Sequence, residues 1–218
     1  MAEINNNYIN FLNNEQRKAV ESIYGPLLVL AGAGSGKTRV LTFKLLHLLI
    51  NKFATPNQIL AVTFTNKAAS EMKNRISEML NFPIDKMWLG TFHSLCSRIL
   101  RSHYEDVGLK RNFIIIDSDD QVKLIKKICE LENINTKDYS PKYYATAIDS
   151  YKNKGIFYNE IKINNYKNQS SEIKKVYKLY QNELLLLNCV DFGDLILFCI
   201  KLFQSKKEVL VKYQQLFK

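Results

Sequence analysis

The eight residues Ala31-Gly32-Ala33-Gly34-Ser35-Gly36-Lys37-Thr38 constrain the fold of this chain more than any other stretch. They follow a continuous apolar run, Leu27-Leu28-Val29-Leu30-Ala31. They lead into residues 37–50, where Val40, Leu41, Leu45, Leu48 and Leu49 recur at helical spacing as an inward face. A short run that is apolar throughout suits a strand covered on both faces of a parallel sheet. A glycine-rich turn between such a strand and a helix lets successive N–H groups wrap an anion, with the helix N-terminus adding its partial positive charge. Within that turn Lys37 is placed to reach phosphate oxygens, and the Thr38 hydroxyl is placed to hold a divalent metal ion. The strict form of the pattern has glycine where Ala31 stands.

The strand–helix alternation continues. Ile59-Leu60-Ala61-Val62-Thr63-Phe64 reads as a second strand before a helix over 68–80, and Met87-Trp88-Leu89-Gly90-Thr91 as a third before a helix over 92–104. Phe113-Ile114-Ile115-Ile116 is a candidate fourth. Upstream, Asn13 or Asn14 can cap a helix from about Glu15 with Ala19 and Ile23 inward, ended by Gly25-Pro26. This order predicts an α/β fold, a parallel sheet with helices on both faces. From Asp117 the pattern changes: a helix capped by Ser118 or Asp119 runs to Glu132, a loop surrounds Ser140-Pro141, and helical periodicity covers 143–152 and 171–187 without a convincing strand. Residues 117–190 therefore read as a mostly helical insertion, between a first part of the α/β domain (1–116) and a return to it (191–218).

Composition narrows the functional classes. The net charge is +10, and 14 basic against 8 acidic residues in 1–116 place most of the excess beside the glycine-rich turn, as a polyanionic partner would favour. No apolar run approaches the ~18 residues that span a bilayer, and the N-terminus shows no secretion signal, so a cytoplasmic protein without a membrane partner is expected. Cys96, Cys129, Cys189 and Cys199 are too scattered for a metal knuckle and read as reduced thiols.

A phosphate-binding turn alone suits a small-molecule phosphotransferase, a GTPase or a motor equally. Gln16, just upstream, has an amide that both donates and accepts, and so could read the edge of adenine. Residues 63–67 and 90–94 supply Thr63, Thr65, Asn66, Thr91 and Ser94 as small polar donors, with Lys67 and His93 beside them. Phe64, at a strand end, is available to stack on a base.

With those residues in view, the chain resembles the UvrD/Rep/PcrA family of superfamily 1 helicases. Leu12-Asn13-Asn14-Glu15-Gln16 is similar to the family's Q motif, and residues 31–38 to its phosphate loop, which commonly carries alanine at the position of Ala31. Residues 61–69 resemble its motif Ia, and Gly90-Thr91-Phe92-His93-Ser94 its next DNA-binding motif. Asp191-Phe192-Gly193-Asp194-Leu195 resembles an Asp-Phe-Asp-Asp-Leu element, with Gly193 departing from it and weakening the expected helix there.

The resemblance implies a RecA-like ATP-binding domain, interrupted by a helical subdomain, in a 3′–5′ translocase acting on single-stranded DNA and single-strand/duplex junctions. Lys37 and Thr38 would be catalytic. Gln16, Ala31, Gly32, Ala33, Gly34, Ser35, Gly36, Lys37, Thr38 and Arg39 would line the ATP site, with Mg2+ on Thr38. Thr63, Phe64, Thr65, Asn66, Lys67, Thr91, His93 and Ser94 would meet DNA, and Lys152-Asn153 and Lys174-Lys175 are further candidate contacts in the insertion. The family's Asp-Glu-x-Gln-Asp motif, which handles Mg2+ and water, is not found in residues 1–218. The expectation is therefore an ATP- and DNA-binding portion that does not hydrolyse ATP alone and works with C-terminal helicase domains. A non-catalytic DNA- or nucleotide-binding module, or part of a recombination helicase-nuclease, is the alternative.

Overall fold

The computed structural model describes residues 6–81, 83–162 and 168–218, which divide into two compact units. The first comprises Met1–Leu95 with Val211–Lys218 and the second Cys96–Leu210. The fold is mixed α/β, mostly helical, with two small parallel sheets.

In the first unit, α1 (Asn14–Glu21) starts at a capping box: the Asn13 side chain accepts from the Gln16 amide at 2.9 Å, and the Gln16 side chain accepts from the Asn13 amide at 3.2 Å. Then come α2 (Lys37–Ile50), β1 (Leu60–Val62), α3 (Asn66–Leu80) and β2 (Trp88–Gly90). α3 begins two residues before its expected start because the Thr65 hydroxyl caps it through the Ala68 amide. β1 and β2 run parallel, pairing Leu60 with Trp88 and Val62 with Gly90. Phe43, Leu45 and Leu46 of α2, Met72 and Ile76 of α3, and Ala61 of β1 share one core. Trp88 meets Tyr213 and Phe217 edge-on, with ring centroids 5.7 and 5.6 Å apart.

Two expectations fail here. Residues 27–31 form no ladder, and Leu27, Leu28, Val29 and Leu30 are exposed, Leu30 by 86%. A parallel strand exists only through its neighbours, and among the described residues β1 and β2 pair with each other alone. On α2 one of the five expected inward residues, Leu41, is exposed, while Leu45 is buried and Val40, Leu48 and Leu49 pack against the core.

The second unit holds most of α4 (Phe92–Ser102), then β3 (Ile114–Ile115), α5 (Ser118–Leu131), α6 (Pro141–Asn153), α7 (Asn168–Leu186), β4 (Cys189–Val190), α8 (Phe192–Ser205) and the start of α9 (Lys207–Leu216). α5 is capped one residue earlier than expected, by Asp117, whose carboxylate accepts from the Asp119 and Asp120 amides. Ser140-Pro141, expected as loop, is a helix start. The serine caps the Tyr143 amide at 3.2 Å, and proline at the first helical position loses no hydrogen bond.

β4 is a strand that periodicity missed, because two residues carry no alternation. Asn188 creates it by turning the chain at φ 53° while its side chain accepts from the Lys110 amide at 2.8 Å. Cys189 and Val190 then pair parallel with Ile114 and Ile115. Lys152, read as a surface contact, is buried. Its ammonium lies 2.6 Å from Asp191 and 2.7 Å from Asp194, where Tyr180 donates to Asp191 and Gln181 to Asp194. Gly193 does not weaken α8, because Asp191 and Asp194 form a capping box around it. Its missing side chain leaves room for Lys152, whose Cδ would stand 3.0 Å from a Cβ there.

Candidate nucleotide and nucleic-acid sites

The glycine-rich turn takes the shape its residues allow. Gly34 and Gly36 sit at φ 77° and 86°, a region open to glycine at little cost. Gly36 is the N-cap of α2 and has no side chain to satisfy the first-turn amides. No acidic residue lies in that turn; Lys37 and Arg39 do. Cations at a helix N-terminus oppose the helix dipole by about 0.3–1 kcal/mol each. Uncapped amides with added positive charge favour an anion at this helix end. α1, α3, α5, α6 and α8, by contrast, are capped by Asn13, Thr65, Asp117, Ser140 and Asp191.

The Lys37 ammonium folds back over the turn, donating to the carbonyls of Gly32 at 2.7 Å and Ala31 at 3.0 Å. The Ser35 hydroxyl also donates to Gly32 O, at 2.7 Å. Open space surrounds the positions a Cβ would take at Gly32 and Gly34. Ala33 and Thr38 are exposed, and the Thr38 carbonyl accepts from Thr42 at 2.8 Å. Gln16 reaches the turn directly, its Nε2 donating to Ser35 O at 3.1 Å. A Cβ on Gly36 would stand 3.0 Å from that nitrogen. Arg39 points elsewhere: its guanidinium donates to Phe11 O at 2.6 Å and lies 5.6 Å from the Phe43 ring centre. The residues fit a polyphosphate with Mg2+. The turn and Lys37 would hold the phosphates, and Thr38 would supply one oxygen to a metal that takes its other ligands from phosphate and water.

The second constellation lies past the C-terminal ends of β1 and β2. Thr63 N donates to Gly90 O at 2.9 Å, which carries the parallel register one residue beyond the strands. The Thr63 hydroxyl donates to Thr65 O at 3.0 Å. Thr91 Oγ1 lies 3.3 Å from Asn66 Oδ1 and accepts from the Ser94 amide at 3.2 Å, and Ser94 Oγ donates to Thr91 O at 2.9 Å. Gly90 permits this knot, since a Cβ there would overlap Ser94 Oγ. Asn66, Lys67 and Ser94 are exposed and His93 is half-buried. Phe64 is 99% exposed.

The comparison with known proteins decides the family. Residues 12–218 match the UvrD/REP helicase N-terminal domain. The chain belongs to that family. It is 44% identical over 214 residues to a probable DNA helicase II homolog of Rickettsia conorii, covering 97% of this chain and 32% of that relative. It is 42% identical over 212 residues to the ATP-dependent DNA helicase PcrA of Staphylococcus aureus, covering 97% of this chain and 29% of the relative. For PcrA of Staphylococcus epidermidis the identity is 43% over 206 residues, 94% and 28% of the two chains. This helicase domain thus spans about a third of the length of these curated relatives.

Two features of the helicase domain went unread in the sequence. Phe92 is 63% exposed and, by the β1–β2 register, is the counterpart of Phe64. Two bare aromatic rings therefore flank the Thr91–Asn66–Ser94 knot. The signal was present, since an aromatic residue follows each strand at the same offset, but Phe92 was read only as the start of a helix over 92–104 and as part of the Gly90–Ser94 motif. The buried Lys152–Asp191–Asp194 cluster left no signal beyond the Asp-x-x-Asp spacing. Among the described residues no group could hold a metal through three His, Cys, Asp or Glu side chains, and no helix is long and apolar enough to cross a membrane.

Proposed function

We propose that this chain is the ATP- and single-stranded-DNA-binding N-terminal portion of an ATP-dependent 3′–5′ DNA helicase acting in DNA repair or replication. The observation that carries the reading is the Lys37 ammonium poised over an uncapped, positively charged helix N-terminus at the mouth of a glycine turn. Lys37 and the amides after Gly34 hold the phosphates, Thr38 supplies the Mg2+ ligand, and Gln16 reads adenine from a helix cap hydrogen-bonded to the same turn. Arg39 reaches the nucleotide by leaving the Phe11 carbonyl. The α/β unit is the first part of a RecA-like ATP-binding domain. Residues 117–190 act as the helical insertion of that domain, and the protein works in the cytoplasm.

On the DNA side, Phe64 and Phe92 stack on bases, while Thr63, Thr65, Asn66, Lys67, Thr91, His93 and Ser94 hold the backbone. Base–aromatic stacking is worth about 1–3 kcal/mol per ring and tolerates any sequence. Phe64→Ala and Phe92→Ala are each expected to weaken oligo-dT binding by that amount, measured by fluorescence anisotropy. Lys37→Ala is expected to leave oligo-dT binding unchanged. Unaltered binding in both phenylalanine variants would refute the DNA assignment.

Hydrolysis needs an acidic strand motif that residues 1–218 do not contain. These residues alone are expected to bind ATP without turnover. Phosphate release by the purified chain that depends on Lys37 and rises with DNA would contradict that.

A further inference from the structure

Four thiols are present, and all are free. Cys129 and Cys189 lie buried, and burial raises the pKa of each, the state of an inert core thiol. Cys96 and Cys199 differ. They are 103 residues apart in sequence, on α4 and α8, yet the Cys199 thiol donates to the Cys96 carbonyl oxygen at 3.5 Å. Cys199 is buried beside Leu195 and Phe198, whereas Cys96 is only half-buried.

We infer that Cys96 and Cys199 form a reversible dithiol–disulfide pair, with half-exposed Cys96 reacting first with a hydroperoxide and buried Cys199 resolving it. The electrostatics run the same way. The adjacent Cys199 thiol draws the Cys96 pKa down against the opposing effect of burial, while Cys199 is pushed up by that contact and by its own burial. A lower pKa puts more of Cys96 in the nucleophilic thiolate form.

The Cys96 thiolate attacks the outer peroxide oxygen, the O–O bond breaks, and a sulfenic acid forms while the departing alkoxide or hydroxide takes up a proton. The sulfur loses two electrons and the peroxide gains them. The Cys199 sulfur then attacks the sulfenic sulfur. The S–O bond breaks, the S–S bond forms, and the hydroxyl leaves as water with the Cys199 proton. A dithiol reductant returns both thiols and is itself oxidised to a disulfide. The bridge would join α4 and α8 covalently at Cys96, two residues after Ser94.

The test is treatment of the folded chain with one equivalent of hydrogen peroxide near neutral pH. Free thiols are then blocked with N-ethylmaleimide under denaturing conditions and the peptides mapped by mass spectrometry. The expected product is a peptide pair joined through Cys96 and Cys199, lighter by two hydrogens and reversed by dithiothreitol, with Cys129 and Cys189 still blocked by maleimide. Cys96→Ser, at the half-exposed position, is expected to abolish the bridge. Cys199→Ala is expected to leave Cys96 as a sulfenic acid captured by dimedone, and to slow its alkylation by iodoacetamide several-fold in the untreated protein. A bridge to Cys129 or Cys189, or conversion of wild-type Cys96 to the sulfinic acid without a bridge, overturns the assignment.

Discussion

Replacing Lys152 with methionine is expected to lower the unfolding free energy of the second unit by about 3–5 kcal/mol, the cost of leaving buried charge unpaired. Its ammonium is wholly buried between the carboxylates of Asp191 and Asp194, at 2.6 and 2.7 Å. Without it, the two carboxylates face each other in a site where Tyr180, Gln181 and the two capping-box amides, all uncharged, are the remaining donors. A domain of this size has about 5–15 kcal/mol in total, so much of the unit's helical signal should melt early in urea. The triple change Lys152→Met, Asp191→Asn, Asp194→Asn, which removes the charges together, is expected to recover most of the loss. Circular dichroism during urea denaturation compares the variants. Wild-type stability in Lys152→Met would contradict the ion cluster.

The same cluster sets a pH dependence. Burial pushes the Asp194 pKa up to about 6, against the pull of Lys152. An unfolded aspartate titrates near ~3.9, so the folded protein binds this proton more tightly than the unfolded chain does. The associated stability is complete below that pH and is lost as pH rises through about 6. Asp194→Asn cannot titrate, so its stability relative to wild type is expected to rise between those two values. A difference that stays constant with pH would show that Asp194 does not titrate in that window.

Lys37→Ala is expected to weaken magnesium–ATP binding by about 100-fold. A charge-assisted hydrogen bond contributes about 1.5–3 kcal/mol, and each ~1.4 kcal/mol is a factor of ten. The side chain is exposed and its present partners are two loop carbonyls, so truncation leaves no buried group unsatisfied. The thermal midpoint is expected to stay near wild type while displacement of a fluorescent nucleotide shifts. Loss of affinity together with loss of fold would instead mark Lys37 as structural.

The sequence made the first unit legible in parts. α2 was expected over 37–50 and occupies Lys37–Ile50, because a glycine turn and a helical apolar pattern fix its start and length. β1 and β2 were readable from their apolar runs, as were the capping of α1 by Asn13 and the exposure of Phe64. Residues 27–31 were misread because an apolar run reports the burial a sequence is suited to, and among the described residues no strand pairs with it. Phe92 was given no role of its own and Lys152 was misread, for opposite reasons. Phe92 follows a helical apolar pattern and yet faces water, whereas lysine usually sits at the surface and this one is held inside by two carboxylates distant in sequence. Long-range pairing of that kind leaves no periodic trace.

Calorimetric titration of magnesium–ATP into the wild-type protein tests the phosphate cradle most directly. One saturable site per chain is expected, binding more weakly when Gln16 is replaced by alanine. Folded protein that takes up no magnesium–ATP would contradict the cradle, and the helicase reading of its residues would fall with it.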